Sequence, residues 1–244
     1  MLNNTSLRHA AIVMDGNNRW ARQRGLLNVE GHRAGVERIR DILRTCRDNQ
    51  IEVLTVFAFS SENWQRPALE VNALMGLFHL YLNNESRNLR KDGVRLRVIG
   101  DRRRFSKKIS EAIINAEKIA NSGDTTLVIA ADYGGRWDIV NAAKKLTSDV
   151  LNGKYELDSV DESTFGRYMS LADFPPLDML IRTGNECRIS NFLLWQCAYA
   201  ELFFSKKLWP DFQREDFETI ISEYHTRQRR FGLNGQQLAG NYFA

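Results

Sequence analysis

One segment of the chain, residues 14–20 with the sequence MDGNNRW, combines residue types that could bind a magnesium diphosphate. It follows the apolar run 10–13, so we interpret it as a loop after a buried strand. Asp15 offers a hard oxygen ligand for a cation, and Arg19 offers a planar fork of donors for a phosphate. A plain turn would explain the glycine and asparagines between them, but not Asp15 and Arg19 together. The segment alone leaves both interpretations open.

A second segment, residues 182–191, places two arginines six residues apart around Gly184. Ser190 is predicted to cap a helix over residues 191–199, whose free N–H groups would strengthen phosphate binding. A plain capping loop explains Ser190 but leaves the two arginines unexplained. The segment is therefore a second candidate site for a phosphate.

Short apolar runs alternate along the chain with amphipathic helical patterns, which predicts an α/β fold. We expect a single domain with a central, mostly parallel, six-stranded sheet flanked by helices. The predicted strands cover residues 9–14, 52–59, 94–99, 126–131, 177–181 and 201–204. The last helical pattern is predicted to end at Gly232. In such sheets ligands bind beyond the carboxyl ends of the strands.

Polar residues follow several predicted strands. The second strand leads into residues 60–66 (SSENWQR), the fourth into residues 133–136 (YGGR) and the fifth into the two-arginine segment. A shared polyanion site explains these loops together, although loops between strands and helices are commonly polar. His32, near the start of a predicted helix, is either a packing residue or a phosphate contact or proton relay.

The predicted helix over residues 70–89 is apolar on more than one stripe, and a surface helix needs only one. It is either a deeply buried helix, an oligomer interface or one wall of an apolar tunnel. The periodicity of the sequence does not separate these alternatives.

The composition is that of an ordinary globular protein, with 43% hydrophobic and 26% charged residues among 244. The net charge of +4 is too small for a dedicated nucleic-acid binder, so we expect no nucleic-acid partner. Arginines outnumber lysines by 25 to 9, which favours a phosphate ligand or reflects codon usage. Three cysteines without paired spacing, no bilayer-length apolar run and no secretory leader predict a cytoplasmic protein.

Several common motifs of nucleotide-binding proteins and hydrolases are missing from the sequence. It contains no GxxxxGK[ST] loop, no GxGxxG after a strand, no HExxH and no GxSxG. The sequence therefore gives no support for a P-loop enzyme, a dinucleotide-binding fold, a zinc protease or a serine hydrolase.

A set of motifs, taken in their order along the chain, resembles the pattern of the cis-prenyltransferase family. The motifs are MDGNNRWA at 14–21, Gly31-His32, FSSENWQRP at 59–67, YGGRWD at 133–138, residues 182–192 and residues 200–203. The match runs from about residue 9 to residue 232, and the ordered set is far more specific than any single motif. The resemblance implies one catalytic domain over residues 1–244 with a hydrophobic tunnel, and a loose tail at 233–244.

The resemblance also implies a homodimer that elongates isoprenoid chains with Mg²⁺. An allylic diphosphate, usually farnesyl diphosphate, loses its diphosphate as isopentenyl diphosphate attacks, and proton loss leaves a new cis double bond. Repeated cycles give a long-chain polyprenyl diphosphate. The expected product is undecaprenyl diphosphate, a precursor of the lipid carrier for cell-wall synthesis, and its release would involve transient contact with the inner face of the membrane.

Individual residues acquire expected roles from the same resemblance. Asp15 is expected to be catalytic and to bind Mg²⁺, with Glu201 as the second magnesium ligand. Asn63 stands where the family's proton acceptor is assigned; because an amide is a poor base, we expect it to position the proton for a diphosphate oxygen. The allylic diphosphate is expected to contact Gly16, Asn17, Asn18, Arg19, Trp20 and His32. The remaining substrate contacts are expected from Ser60, Ser61, Glu62, Trp64, Arg66, Arg182, Arg188, Ile189 and Ser190.

Four residues depart from the family's usual pattern, among them Asn28, which stands where an arginine can assist the allylic diphosphate. Asn18 and Asn185 stand where glycine is common, and Cys187 stands where a histidine can join the metal shell. Cysteine is a softer ligand than Mg²⁺ prefers, so Cys187 is not counted as a metal ligand.

Two other functions fit part of the sequence. A magnesium-dependent phosphohydrolase or phosphotransferase would explain Asp15 and the arginines, but not the apolar helix. A non-catalytic partner subunit of a prenyltransferase would be expected to lack one of the two phosphate-binding segments, and both are present.

Overall fold

The computed structural model describes residues 6–227, which form a six-stranded sheet with helices on both faces. The strands are β1 (His9–Val13), β2 (Val53–Ser60), β3 (Val94–Ile99), β4 (Thr125–Tyr133), β5 (Met179–Arg182) and β6 (Glu201–Phe204). All five pairings are parallel, and the strand order is β3-β4-β2-β1-β5-β6. The predicted single-domain α/β fold and its six strands are confirmed, and the sheet is parallel throughout.

Seven α-helices connect or flank the strands within the described residues. They are α1 (Asn17–Gln23), α2 (Asn28–Asp48), α3 (Ala68–Lys91), α4 (Lys107–Ile119), α5 (Gly135–Leu151), α6 (Glu162–Gly166) and α7 (Arg214–Thr226). Short 3₁₀ turns add Ser61–Gln65, Arg102–Arg104, Leu157–Ser159, Gln196–Tyr199 and Trp209–Asp211.

Three predicted elements differ from the structure. The predicted helix at 191–199 is wrong, because Ser190, Asn191 and Leu193 all have left-handed backbone with φ between 46° and 62°. Only a 3₁₀ turn forms near its end. The predicted loop after β1 becomes helix α1 from Asn17 onward, and α7 ends at Thr226, before Gly232.

The two faces of the sheet carry separate cores. Successive side chains of a strand point to opposite faces, so Ala10 and Ile12 of β1 join the core under α2, α3, α4 and α7. Ala11 and Val13 join the second core, together with the fully buried Phe192. β1 is buried along its whole length, which fixes the point where the first polar segment leaves the sheet.

Two further predictions concern the ends of the chain and the membrane. The tail expected at 233–244 lies outside the described residues. Among residues 6–227, no helix combines the length and the apolar character needed to cross a bilayer.

Candidate active site

The two predicted phosphate-binding segments meet at the carboxyl edge of the sheet. Val13, the last residue of β1, is paired with Phe57 of β2 on one side and with Arg182 of β5 on the other. Asp15 therefore emerges between the loops that follow β2 and β5. This is the position that the parallel sheet predicts for a ligand site.

The backbone of Asp15 is held in place by residues far away in the sequence. The Thr183 hydroxyl accepts from the Asp15 amide at 3.0 Å and donates to its carbonyl at 2.8 Å, and the Trp209 amide donates to the same carbonyl at 2.9 Å. Gly16 follows with φ of 113°, and a Cβ there would lie 2.8 Å from Leu208. A side chain at position 16 would strain the backbone and clash with Leu208, so glycine is required there. Gly16 therefore fixes the path of the chain and does not make it flexible.

The Asp15 carboxylate is bound by two arginines. Its Oδ2 accepts from Arg182 Nη2 at 2.8 Å, and its Oδ1 accepts from Arg19 Nη2 at 3.2 Å. The Arg182 side chain is only 6% exposed, so Asp15 balances the charge of a buried cation.

Arg182 also connects Asp15 to the second segment. Its Nη1 donates to the Ser190 hydroxyl and to the Arg188 carbonyl, both at 2.7 Å. The guanidinium thereby joins the two segments into one polar site. The Arg188 side chain itself points to Glu186.

A cavity of about 340 Å³ opens at this polar site and runs between the sheet and helices α2 and α3. Asp15, Asn17, Arg66, Arg182 and Ser190 belong to its lining. Its apolar wall is formed by residues of both helices and the sheet, among them Val36, Ile39, Val56, Leu74, Met75, Leu77, Phe78, Tyr81 and Ile129. The cavity thus joins a charged mouth to an apolar interior.

Helix α3 contributes the largest share of this apolar wall. Leu74, Met75, Leu77 and Phe78 line the cavity, whereas Leu69 at the start of the helix is 87% exposed. The alternative of a deeply buried helix is therefore wrong, and the interpretation as a cavity wall fits the structure. A complete tunnel stays a prediction.

His32 lines the cavity, and its Nε2 is buried. Its Nε2 makes no hydrogen bond with any described residue. Burial and then the positive charge of Arg66 lower the pKa of His32 to about 4, against the opposing charge of Glu70. His32 is therefore neutral at pH 7 and can bind a polar ligand atom through this nitrogen.

Asn63 lies in the 3₁₀ turn after β2 and also lines the cavity. Its Oδ1 accepts from the Ser60 amide at 3.0 Å, which fixes the side chain. Because the carbonyl oxygen is already engaged, the group left for a ligand is the NH₂ donor.

Glu70 is a residue of this site that sequence reasoning missed. Its Oε1 accepts from Asn18 at 3.2 Å and from Arg66 at 2.9 Å, so it ties α1 to the start of α3. The spacing of four between Arg66 and Glu70 could have suggested the pair. Asn18 itself lies in helix α1, so the missing glycine at that position costs no backbone freedom there.

Of the fifteen residues expected to contact substrate, nine lie outside the cavity lining: Gly16, Asn18, Arg19, Trp20, Ser61, Glu62, Trp64, Arg188 and Ile189. Trp20 donates to Asp211 at 2.7 Å, and Trp64 packs edge-on against Phe59 beneath the cleft. Ser61 and Glu62 bind each other at 3.0 Å in the adjoining 3₁₀ turn.

The partly buried Ile189 packs against the second core and does not line the cavity either. Its side chain is therefore placed to support the second phosphate-binding segment from below. The substrate contact expected of Ile189 stays a prediction.

Glu201 is not brought near Asp15 within one chain. It begins β6, whereas Asp15 lies beyond the end of β1, and the registers put Phe204 level with Val13. Roughly 10 Å of strand therefore separates Glu201 from the level of Val13, and Asp15 lies beyond that level. Glu201 instead accepts from Arg227 at 2.9 Å. The expectation that both bind one ion does not hold for a single chain.

The donor set fits a magnesium ion shared with a substrate. Mg²⁺ is usually held by one or two carboxylates together with substrate phosphates. Asp15 is the one acidic side chain among the described residues that line the cavity. Within residues 6–227, no three His, Cys, Asp or Glu side chains are placed to hold a metal by themselves.

Comparisons with known proteins agree with the geometry. The profile of the Prenyltransf family, described as putative undecaprenyl diphosphate synthase, matches residues 13–232. A (2E,6E)-farnesyl-diphosphate specific ditrans,polycis-undecaprenyl-diphosphate synthase of Pseudomonas aeruginosa is 50% identical over 233 residues, covering 95% of this chain and 92% of the relative. The Escherichia coli K12 protein of the same name is 48% identical over 226 residues, covering 92% and 89%.

Two solved structures share the fold. Lavandulyl diphosphate synthase from Lavandula x intermedia, in complex with dimethylallyl diphosphate, has a TM-score of 0.89 and 34% identity. A probable undecaprenyl diphosphate synthase from Campylobacter jejuni has a TM-score of 0.78 and 35% identity. Each alignment covers 93% of this chain and 98% of the other.

Proposed function

Because the chain belongs to the Prenyltransf family of putative undecaprenyl diphosphate synthases, we propose that it extends farnesyl diphosphate with isopentenyl diphosphate units to give undecaprenyl diphosphate. The observation that carries this proposal is the cavity whose charged mouth opens onto an apolar interior. A diphosphate matches the mouth, and a growing hydrocarbon chain matches the interior. Each buried CH₂ stabilises the bound chain by about 0.8 kcal/mol.

The allylic diphosphate is assigned to Asp15, Asn17, Arg19 and His32 at the mouth of the cavity. Magnesium, held by Asp15, would supply positive charge to the leaving diphosphate. Arg19 lies on the same carboxylate and can turn to the phosphate as that charge develops. A neutral His32 can donate one hydrogen bond to the diphosphate and so orient it.

Isopentenyl diphosphate is assigned to Arg182, Arg188 and Ser190. The buried guanidinium of Arg182 is already oriented by the Ser190 hydroxyl, so little ordering is needed when a phosphate binds. Its Nε is buried and makes no hydrogen bond with a described residue, which leaves a donor for the ligand.

The proton lost in each cycle is assigned to a diphosphate oxygen. The side-chain carbonyl oxygen of Asn63 accepts a hydrogen bond from the Ser60 amide. Its NH₂ group is therefore left to orient the diphosphate that accepts the proton. A carboxylate at this position would be a stronger base. If Asn63→Asp were more active than the wild type, this assignment would be wrong.

We propose a homodimer formed across the β6 edge of the sheet. This edge exposes apolar side chains, with Tyr199 67%, Leu202 38% and Phe204 40% exposed. Glu201 lies on the same edge, so any metal role for it requires the active site of a second copy. Sedimentation velocity of the full chain tests the dimer, and a monomer at micromolar concentration would contradict it.

The enzyme is proposed to act in the cytoplasm and to contact the inner face of the membrane only when it releases product. A direct assay of the proposed reaction uses farnesyl diphosphate, labelled isopentenyl diphosphate and Mg²⁺. Incorporation of label that stops when EDTA is added is expected. Release of phosphate without incorporation would favour a phosphohydrolase instead.

A further inference from the structure

The motif at residues 133–138 has no part in the site described so far, yet its two glycines lie where three loops converge. A Cβ at Gly134 would lie 2.6 Å from Ser61 Oγ and 2.7 Å from Asn191 Nδ2. A Cβ at Gly135 would lie 2.9 Å from the Leu194 amide nitrogen. The motif therefore makes room for the loops that follow β2 and β5 to approach the start of α5.

Asn191 occupies the centre of this junction. Its Nδ2 donates to Glu62 Oε1 at 2.7 Å, and its Oδ1 accepts from the Arg136 amide at 2.9 Å. Its backbone carbonyl accepts from the Gly135 amide at 2.6 Å. Asn191 thus binds the loop after β2 and the first residues of α5, and belongs itself to the loop after β5.

The start of α5 is a rigid reference point for this junction. Asp138, which is 1% exposed, accepts from the Tyr133 hydroxyl at 2.8 Å, from the Ser170 hydroxyl at 2.8 Å and from Gln196 at 3.1 Å. A buried carboxylate with this many donors holds its helix firmly. A loop bound to residues 135 and 136 is therefore bound to the core.

The conformation of the second phosphate-binding segment depends on the same anchor. Ser190 and Asn191 both adopt left-handed backbone, with φ of 49° and 62°, a region that asparagine tolerates better than most residues. Ser190 is the residue whose hydroxyl receives Arg182, and it directly precedes the anchored position.

We propose that Asn191 is the positioning residue that holds the segment 182–190 against the Glu62 loop and thereby sets the isopentenyl diphosphate subsite. This inference rests on the proposed function for the identity of the ligand. It also assigns a role to the YGGRWD motif, which provides the space and the rigid partner for Asn191.

The central variant for a test is Asn191→Asp. Its carboxylate can still accept from the Arg136 amide, but it cannot donate to Glu62 and it repels that carboxylate. We expect KM for isopentenyl diphosphate to rise about tenfold, as for the loss of a hydrogen bond to a charged group. KM for farnesyl diphosphate and the melting temperature should stay close to the wild-type values.

Rescue separates positioning from a general structural effect. In the double variant Asn191→Asp with Glu62→Gln, the amide introduced at position 62 can donate to the carboxylate introduced at position 191. The double variant should therefore have a lower KM for isopentenyl diphosphate than Asn191→Asp alone. Asn141→Asp on α5 is the matched control, because the Asn141 side chain makes no hydrogen bond with described residues, and its KM should not change.

Each outcome decides the inference. If Asn191→Asp matches the wild type in KM while the wild type elongates, the positioning role is wrong and the proposed function stands. If Asn191→Asp melts at a lower temperature than the wild type, Asn191→Gly is tested instead, because glycine suits the left-handed backbone and removes the side chain. An unchanged KM for isopentenyl diphosphate in Asn191→Gly would overturn the positioning role. If the wild type does not elongate, calorimetric titration with isopentenyl diphosphate alone decides: binding at least tenfold weaker in Asn191→Asp supports positioning, whereas equal or absent binding overturns it.

Discussion

At the scale of single residues, Asp15 and Arg182 form one unit. The Arg182 side chain is almost fully buried, and its charge is balanced by Asp15 at 2.8 Å. Removal of the Asp15 carboxylate would therefore have two effects: the loss of the proposed magnesium ligand and the loss of the counter-charge for a buried cation. Two substitutions at this position separate these effects.

Asp15→Asn keeps an oxygen acceptor for Arg182 but loses the negative charge. Its free energy of unfolding should fall by less than that of Asp15→Ala, because the amide oxygen still accepts from Arg182, while the condensation rate falls roughly 10²–10³-fold. Asp15→Ala also removes the acceptor, so the free energy of unfolding should fall by about 1–3 kcal/mol. Urea denaturation and initial rates measure the two effects. Equal losses of stability and activity in Asp15→Asn would show that Asp15 is only structural.

His9 gives a second prediction at this scale. It is buried in β1 between the Pro175 carbonyl at 2.9 Å and the Thr55 hydroxyl at 2.8 Å. Burial lowers its pKa to about 4, against the opposing effects of the Pro175 carbonyl and Asp178. In the unfolded chain the pKa is close to 6.5.

The unfolded state therefore binds this proton first. The contribution of His9 to stability is complete above pH 6.5 and is lost as the pH falls towards 4, by about 3 kcal/mol in total. Urea denaturation at pH 7, 5.5 and 4.5 should show a shallower fall for His9→Gln than for the wild type. Parallel curves for the two proteins would contradict this prediction.

At the scale of elements, the packing of α2 on α1 brings His32 to the cavity. A Cβ at Gly31 would lie 2.1 Å from the Asn17 carbonyl oxygen, and a Cβ at Gly35 would lie 2.4 Å from Asn17 Oδ1. Gly31 thus allows the backbones of α1 and α2 to approach each other directly, and Gly35 makes room for the side chains of Asn17 and Trp209. The Gly31-His32 pair of the sequence motif therefore has two roles. Gly31 allows the close approach of the helices, and His32 is the residue that this packing places at the cavity.

Gly31→Ala should force α1 and α2 apart and lower the free energy of unfolding by about 1–3 kcal/mol. Gly76→Ala is the matched control, because Gly76 lies in helix α3 with nothing within 4 Å of the added carbon. Helix propensity predicts a gain of about 1 kcal/mol there. Thermal melts of both variants provide the comparison, and a neutral Gly31→Ala would contradict the close packing.

The elements were predictable where one periodicity dominated. β1 and β4 are buried along their whole length, and their apolar runs indicated this directly. The helix predicted at 191–199 failed because three residues between 190 and 193 adopt left-handed backbone, which tertiary contacts stabilise and local preferences oppose. The Asn191 hydrogen bonds to Glu62 and Arg136 are such contacts, and no local pattern in the sequence announces them.

At the scale of the whole molecule, the parallel sheet brings distant segments to one edge. The sequence predicted that the loops after β1, β2 and β5 would share a site, because parallel strands end at the same edge. The predicted strand 201–204 already began at Glu201, but the family resemblance assigned Glu201 to the same ion as Asp15, because a motif gives the order of residues and not the register of their strands. Thr183 was missed because its partner Asp15 is distant in the sequence, whereas Glu70 could have been found from its spacing of four to Arg66.

The central claim is that this site elongates a cis-polyprenyl chain inside the cavity. The most direct measurement is the length distribution of products from farnesyl diphosphate, labelled isopentenyl diphosphate and Mg²⁺. We expect a series of products that grows in five-carbon steps to a long-chain polyprenyl diphosphate. Diphosphate release without chain growth, or no turnover at all by the full chain, would contradict it.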